Sequence, residues 1–572
     1  MATLNVGAID QEENCMSENI IEENKDTNQE GSNPIQRKKM RILIPCFVLV
    51  AVFISMFWKL NSYPAHLGSM ANVSLHNAVN KVLDNEPYIS NWWLWGDFHQ
   101  GNMCNSILYN WFAEGGMRLL GFSMLGIRIF FTIFAFLSLI LLYITMSKYY
   151  SKYLAMLFTF LYGTATWVLV VARDGGSVGF SLSLAICALC FTALFIKYRD
   201  SYTLPFLAAF FIAILPYGYT ILRPLPIVLI IWIILNIKKI NIRRFVIFIL
   251  SLIVLVAPQF TNIQLVAHDY FFARGESLLE ISKASGKFDT AIFLDKIGEN
   301  VKDVIDLLLG EHKEKTKTFL GQNIAMPTET NRVILYPTFL VPLFLLGVIL
   351  MMYRLIRTRS IIYLTPILFF CLTVVPSLMS GAGVPNAGRG VLISLPVYFF
   401  ISFAIYTIGE LLFLLIGMIK RQRIAAMGKI AIPAILVIFV LFTCGYQFAN
   451  YFFVDKDEMP IPDQAPLTFL IDYLKTHPNE NVAYFEFGPF DDWSYVAPRV
   501  EGGKLVLDSL RSKKLYFPEK ETKDEFIQLL NSGYFDIVIS KSEQLNDVVY
   551  QGISQYPSED KKSFKVYYPK RK

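Results

Sequence analysis

The residues best suited to chemistry lie in a long loop that follows the first apolar run of the sequence. Asp97 and His99 stand in this loop, shortly after Trp92, Trp93 and Trp95. Tryptophan favours the headgroup level of a membrane, where one side of the ring is dry and the other is wet. A carboxylate beside a partly dry aromatic surface can act as a general base. We predict that Asp97 and His99 deprotonate an acceptor hydroxyl or amine. The alternative is that Asp97 caps a helix of the loop.

Two arginines could bind an anionic group at the same membrane face. Arg173 ends an apolar run and is followed by Asp174 and two glycines, and Arg389 follows a glycine-rich stretch. A guanidinium forms two parallel hydrogen bonds with a phosphate, and glycines leave backbone N–H groups available to help. The spacing predicts a phosphate clamp. The alternatives are an Arg173–Asp174 pair in a tight turn and a helix-end arginine that extends toward water.

Histidines and carboxylates in the loops offer a weaker signal for a divalent metal ion. The candidates are His66, His268 and Glu276. Imidazole and carboxylate are common metal ligands, but these three residues show no regular ligand spacing. Scattered surface residues are the favoured interpretation. A divalent metal is the one cofactor that the sequence leaves open.

The composition defines the frame that must position these residues. Of 572 residues, 54% are hydrophobic and 17% are charged, and the mean hydropathy is +0.44. Soluble domains contain about 25% charged residues. Lysine and arginine cluster at every second connection between apolar runs, which indicates membrane topology and not nucleic-acid binding. We predict eleven spans, at 42–58, 122–146, 153–172, 177–196, 203–217, 220–236, 245–263, 334–353, 360–379, 390–418 and 430–449.

The alternation of basic connections also predicts the sides of the membrane. It places the N-terminus in the cytoplasm and the C-terminus outside, periplasmic or extracellular. The sequence is rich in Ile, Phe and Lys, which favours a prokaryote and therefore a bacterial inner or plasma membrane. Residues 1–40 are acidic and poor in large apolar residues, which predicts a disordered cytoplasmic tail. The all-α transmembrane domain covers residues 41–450. Its two long outer loops are the first long loop, 59–121, and the second long loop, 264–333.

The composition changes after residue 450, and residues 451–572 predict a small α/β domain outside the membrane. Short β-branched and aromatic runs predict strands, and charged runs with helical periodicity predict helices. The predicted strands are 482–487, 504–507, 535–540 and 564–568, and the predicted helices are 467–476 and 523–531.

A set of ordered motifs over about 59–410 resembles the GT-C fold of glycosyltransferases. The resemblance is to the protein O-mannosyltransferase and aminoarabinose-transferase-like superfamily, which uses polyprenyl-phosphate sugars. Its motifs are Gly115 to Arg128, Val171 to Arg173, Phe272 to Ser277, Tyr336 to Gly347 and Gly383 to Arg389. The resemblance implies inverting transfer to a lipid, glycan or protein acceptor. It also implies that Arg173, Arg274 and Arg389 bind the donor phosphate. The family usually has a second acid a few residues beyond the arginine matched by Arg173; the nearby acid here is the directly adjacent Asp174, which we predict to join the catalytic groups.

One departure from this family pattern keeps other functions open. Such enzymes usually carry an Asp-Glu pair soon after the first span, but residues 71–77 of this chain contain no acid. Either Asp97 replaces the missing base or the chain is a non-catalytic relative of the family. A transporter of lipids or polyisoprenoids is the third hypothesis. It is weakened because ionisable residues lie mostly at span ends, with Glu410 as the main exception.

Overall fold

The computed structural model describes most of the apolar helices and parts of the C-terminal region. The described residues are 34–61, 78–79, 82, 107–121, 123–173, 175–218, 222–265, 290–309, 336–378, 391–419, 422–454, 465–485, 506, 509, 512–516, 523–540, 553, 555–561 and 564–570. The chain divides into two compact units, residues 1–50 and residues 51–572. In the first unit, the described residues form the beginning of one helix.

Fourteen α-helices lie among the described residues up to position 449. They are α1 (Pro34–Phe57), α2 (Ile107–Leu120), α3 (Met124–Tyr149), α4 (Lys152–Gly163), α5 (Thr166–Arg173), α6 (Ser177–Lys197), α7 (Thr203–Ile214), α8 (Leu225–Leu235), α9 (Ile242–Leu265), α10 (Thr290–Leu309), α11 (Val341–Thr358), α12 (Ile361–Leu378), α13 (Ser394–Gly417) and α14 (Gln422–Ala449). A π-helical turn, Asn450–Val454, follows α14 directly. The protein is therefore mostly helical, as predicted.

Five of the described helices are long and apolar enough to cross a membrane, and the bent pair of α4 and α5 would make six. The five lie within α3, α6, the region of α11, the region of α13, and α14. Each of the eleven predicted apolar runs contains helix, but several of these helices are shorter than a full span. The multi-pass character is thus confirmed, whereas the count of eleven spans is not. The reason is that runs such as 203–217 and 220–236 fold as helices of only 12 and 11 residues.

Helix α6 is the most buried of the five spans and packs against α3, α5, α7 and α8. In its apolar window 89% of the residues are buried, against 11% in α14. Large apolar side chains on α14, such as Ile430 and Ile438, are exposed on the outside of the bundle. An all-round apolar helix with an exposed face is what a bilayer accommodates.

The chain bends by 63° between α4 and α5. Thr164 lies at the bend, and its hydroxyl donates to the carbonyl of Phe160 at 2.8 Å. Its backbone N–H donates to the same carbonyl, so this carbonyl at the end of α4 has its hydrogen-bond donors within the last turn of the helix. The bend gives α5 a new direction and determines where Arg173, its last residue, lies.

The C-terminal region contains a five-stranded mixed sheet with the strand order β2-β1-β3-β5-β4. The strands are β1 (Val482–Phe485), β2 (Leu515–Tyr516), β3 (Ile537–Ser540), β4 (Ser558–Lys561) and β5 (Phe564–Tyr567). β1 pairs in parallel with β2 and β3, and β5 pairs antiparallel with β3 and β4. Helices α15 (Ala465–Thr476) and α16 (Lys523–Asn531) accompany the sheet.

Two apolar clusters cover the two faces of this sheet. One contains Leu470 and Leu474 of α15 with Val482 and Ile537. The other contains Phe526 and Leu530 of α16. Alternate residues of β1 and β3 enter different clusters, as the two-residue period of a strand requires. The α/β character of this region agrees with the prediction, except that Val506 is helical in the segment predicted as a strand, 504–507.

Candidate functional site

Arg173 is fully buried at the end of α5 and holds the C-terminal end of α1. Its Nη1 donates to the carbonyl oxygens of Ser55 at 3.1 Å and Met56 at 2.8 Å, and its Nη2 donates to that of Trp58 at 2.7 Å. The last carbonyls of a helix have no partner within the helix, and a cation there also interacts favourably with the helix dipole. The Arg173 side chain therefore caps α1.

Two aromatic rings of the π-helical turn pack against the same guanidinium. The Arg173 Cζ lies 4.7 Å from the ring centroid of Phe452 and 5.5 Å from that of Tyr451. A guanidinium over an aromatic face is attracted by the ring quadrupole, and more strongly when both groups are out of water. The turn that follows the last membrane helix is thereby joined to the cap on α1.

A second buried arginine, Arg128 near the beginning of α3, binds the residues that directly follow α1. Its Nη1 donates to the carbonyl of Leu60 at 3.3 Å, and the residue is 0% exposed. The hydroxyl of Thr132, one turn further along α3, lies 3.0 Å from the Arg128 carbonyl and 3.3 Å from that of Ala172. Helices α1, α3 and α5 thus meet through polar contacts at one end of the bundle.

Helix α2, by which the first long loop returns to the bundle, is bound close to Arg173. Tyr109 in α2 donates its hydroxyl proton to the carbonyl of Gly175 at 2.6 Å, and its ring lies 4.9 Å from that of Phe131. Further along α2, Glu114 is 1% exposed, and its Oε2 lies 3.9 Å from Nη2 of Arg118. Buried contacts therefore fix the loop where it leaves α1 and where it returns in α2.

Of the residues predicted to form the site, Arg173 is the one that the structure describes. The other predicted catalytic and phosphate-binding residues, Asp97, His99, Asp174, Arg274 and Arg389, lie outside the described residues, as do the metal candidates His66, His268 and Glu276. Whether Asp97, Arg173 and Arg389 converge stays a prediction. For Arg173, the hydrogen-bond acceptors among the described residues include three main-chain carbonyls.

No metal-binding cluster of three or more His, Cys, Asp or Glu residues occurs in the part of the chain that the structure describes. Cys187 and Cys190, one turn apart in α6, are both buried free thiols.

Sequence reasoning did not single out Arg128, Glu114 or Tyr109 as functional residues. Arg128 had a usable signal, because an arginine inside an apolar run must find buried acceptors or face a cavity. Glu114 and Tyr109 stand in a mixed polar stretch, where burial has no sequence signature.

No model of a known protein family matches the chain, and no curated protein matches it. Several solved structures are similar to the chain. ArnT from Cupriavidus metallidurans bound to undecaprenyl phosphate is 10% identical with a TM-score of 0.49, over 93% of this chain and 98% of that one. The oligosaccharyltransferase AglB from Archaeoglobus fulgidus, in complex with an inhibitory peptide and a dolichol-phosphate, is 11% identical with a TM-score of 0.47, over 94% and 75%.

The Archaeoglobus fulgidus oligosaccharyltransferase in complex with zinc and sulfate is also similar, at 11% identity and a TM-score of 0.44, over 89% of this chain and 69% of that one. These are structures of the glycosyltransferase class that the sequence motifs resemble. At these identities and TM-scores the similarity supports no statement about the activity of this chain.

Proposed function

We propose that the protein is an integral-membrane glycosyltransferase. It takes a sugar from a polyprenyl-phosphate-linked donor and transfers it to a lipid, glycan or protein acceptor at the outer membrane face. The observation that supports this most directly is the buried attachment of both ends of the first long loop, through Arg173, Arg128 and Tyr109. This loop carries Asp97 and His99, and a bundle that fixes its ends can present those groups at one membrane face.

The proposed reaction needs a base and a cation for the leaving group. Asp97 or His99 removes the proton from the acceptor hydroxyl or amine, and the acceptor atom bonds to C1 of the sugar. The bond between C1 and the phosphate oxygen breaks, and polyprenyl phosphate leaves with the electron pair. Arg274 and Arg389 bind that phosphate, since guanidinium groups pair with phosphate through two hydrogen bonds. Undecaprenyl phosphate and dolichol-phosphate, named with the similar structures, belong to the same chemical class.

No step of this reaction is assigned to a metal ion. The described residues offer no set of three ligands, and the predicted ligands His66, His268 and Glu276 lie outside them.

The proposed topology follows the basic connections of the sequence. The N-terminus lies in the cytoplasm, and residues 451–572 lie outside as a separate domain over the membrane face that carries the two long loops.

Purified protein in lipid nanodiscs tests the proposal when it is given polyprenyl-phosphate donors with different sugars. We expect release of polyprenyl phosphate that depends on an acceptor. Asp97→Asn and Arg389→Ala should each lower turnover by about two orders of magnitude or more, because a general base or a phosphate-binding cation usually contributes that much to the rate. Lys475→Ala, an exposed substitution in the C-terminal region, is the control. Full turnover in both site variants would remove the proposed site.

The absence of an acid in residues 71–77 keeps a non-catalytic relative as the second candidate. It predicts that the protein binds a polyprenyl phosphate without consuming any sugar donor. A lipid transporter predicts movement of the labelled lipid across reconstituted vesicles without sugar transfer. Measuring binding, transfer and flux on one preparation separates the three.

A further inference from the structure

We infer that Arg128 and Arg173 are positioning residues that hold the segment by which the chain leaves α1 and enters the first long loop, and that Arg173 does not bind the donor phosphate. The importance of this loop for catalysis rests on the proposed function. The contacts themselves do not, and they can be tested without any activity.

The segment in which α1 ends, residues 54–60, has almost all its carbonyl groups engaged. Backbone N–H groups of Trp58 and Leu60 donate to the carbonyls of Ile54 and Phe57. The two guanidinium groups take four others, those of Ser55, Met56, Trp58 and Leu60. Charged donors make stronger hydrogen bonds than neutral ones, so these four contacts are the main attachment of the segment.

The backbone of this segment needs such an attachment. Lys59 has a φ of 51°, in the left-handed region that residues with a side chain rarely adopt. The carbonyls on both sides of it, those of Trp58 and Leu60, are held by Arg173 and Arg128. The two arginines therefore stabilise the turn by which the chain leaves α1 and enters the loop.

The same α5–α6 connection also holds the returning end of the loop. Gly175, two residues after Arg173, accepts the buried Tyr109 hydrogen bond through its carbonyl. Its φ is +75°, and a Cβ there would meet Ile127 Cγ2 at 3.1 Å. A single connection thus fixes the departure of the loop through a side chain and its return through a main-chain carbonyl.

These contacts leave Arg173 poorly suited to bind phosphate. The residue is 0% exposed, both Nη atoms donate to main-chain carbonyls, and two rings cover the guanidinium. A phosphate could bind only by displacing the carbonyls of α1, which would then be buried without donors at a cost of their desolvation.

Hydrogen–deuterium exchange on the full chain in nanodiscs tests the positioning role. The variants are Arg173→Met, Arg128→Met and Arg173→Lys. The matched control is Arg244→Met, because Arg244 is also buried and donates to main-chain carbonyls, those of Ser201 and Phe195, near the other end of α6.

We expect the amides of residues 51–61 to exchange roughly tenfold faster or more in Arg173→Met and Arg128→Met, because charged hydrogen bonds are lost locally. Arg173→Lys should restore part of the protection. Arg244→Met should act on residues 195–202 and leave 51–61 unchanged. Unchanged exchange at 51–61 in both Met variants would overturn the inference, and so would an equal rise across Val341–Thr358, which indicates general unfolding.

Kinetics distinguish positioning from phosphate binding. If Arg173 positions the loop, the Arg173→Met variant should have a lower kcat. The KM for the donor should stay within about threefold of the wild-type value, because the residue acts through the loop and does not touch the donor. A tenfold or larger rise in donor KM, with unchanged kcat and unchanged exchange at 51–61, would return Arg173 to the phosphate site and overturn the inference. If the wild-type protein turns over no donor, the proposed function fails and the exchange result still decides the positioning role.

Discussion

Gly347 of α11 marks a close crossing of two membrane helices, so its replacement by alanine should disturb the bundle strongly. A Cβ at this position would lie 2.0 Å from the carbonyl oxygen of Phe400 in α13 and 2.5 Å from its carbonyl carbon. The first distance is about 1.4 Å short of the 3.4 Å at which ordinary contact begins. Both atoms belong to the backbone of a helix, so no side-chain rotation can relieve the clash.

The expected cost follows from this geometry. Overpacking of a core typically costs about 1–3 kcal/mol, and a backbone clash of this size belongs at the upper end. Small residues at such crossings let membrane helices approach closely, and the gain in packing is lost when the helices separate. We expect Gly347→Ala to lower the apparent unfolding temperature in detergent and to raise the aggregated fraction in size-exclusion chromatography.

Gly445→Ala in α14 is the matched control, because a Cβ there would meet nothing within 4 Å. Alanine is favoured over glycine in a helix by about 1 kcal/mol, so this variant should be as stable as the wild type or more stable. If Gly347→Ala were equally stable, the close crossing of α11 and α13 would be wrong.

Two further predictions concern the membrane bundle and the C-terminal region. Tyr398→Phe removes a hydroxyl that donates to Oε1 of Gln447 at 2.6 Å; we expect a loss of about 1 kcal/mol, and a double-mutant cycle with Gln447→Leu checks it by thermal unfolding. An additive cycle would contradict the contact. Phe526→Ala removes a fully buried ring from the sheet region and should cost about 3–5 kcal/mol, measured as faster proteolysis of that region, whereas Lys475→Ala should change little. Equal proteolysis of both variants would contradict the assigned core.

Much of the fold was predictable because apolar run length and charge placement are local properties. Every predicted apolar run contains helix, and the strands at 482–487, 535–540 and 564–568 were located to within two residues. β2 and β4 were missed for a physical reason. β2 has two residues, and β4 is the polar sequence Ser558–Lys561, so neither has the apolar alternation that identifies a strand.

The site was less predictable because the role of a side chain depends on which neighbours the fold supplies. The sequence showed that Arg173 must have a partner, and a phosphate was a reasonable choice for an arginine beside glycines. The 63° bend before α5 cannot be read from composition, and it places the guanidinium against the end of α1. The same holds for Arg128, whose acceptor lies 68 residues away in the chain.

The two edge strands of the C-terminal sheet, β2 and β4, limit how this region could bind a protein substrate. Among the described residues, β2 provides two residues for pairing. β4 carries Glu559, Asp560 and Lys561 in a largely exposed strand, and Oδ1 of Asp560 lies 3.3 Å from Nζ of Lys565 on β5. Short or charged borders resist the addition of a further strand. An extended polypeptide or a second copy of the chain would therefore gain little by pairing with these described borders. Recognition of a polypeptide by this region would have to depend on side chains and loops, not on a shared ladder of main-chain hydrogen bonds.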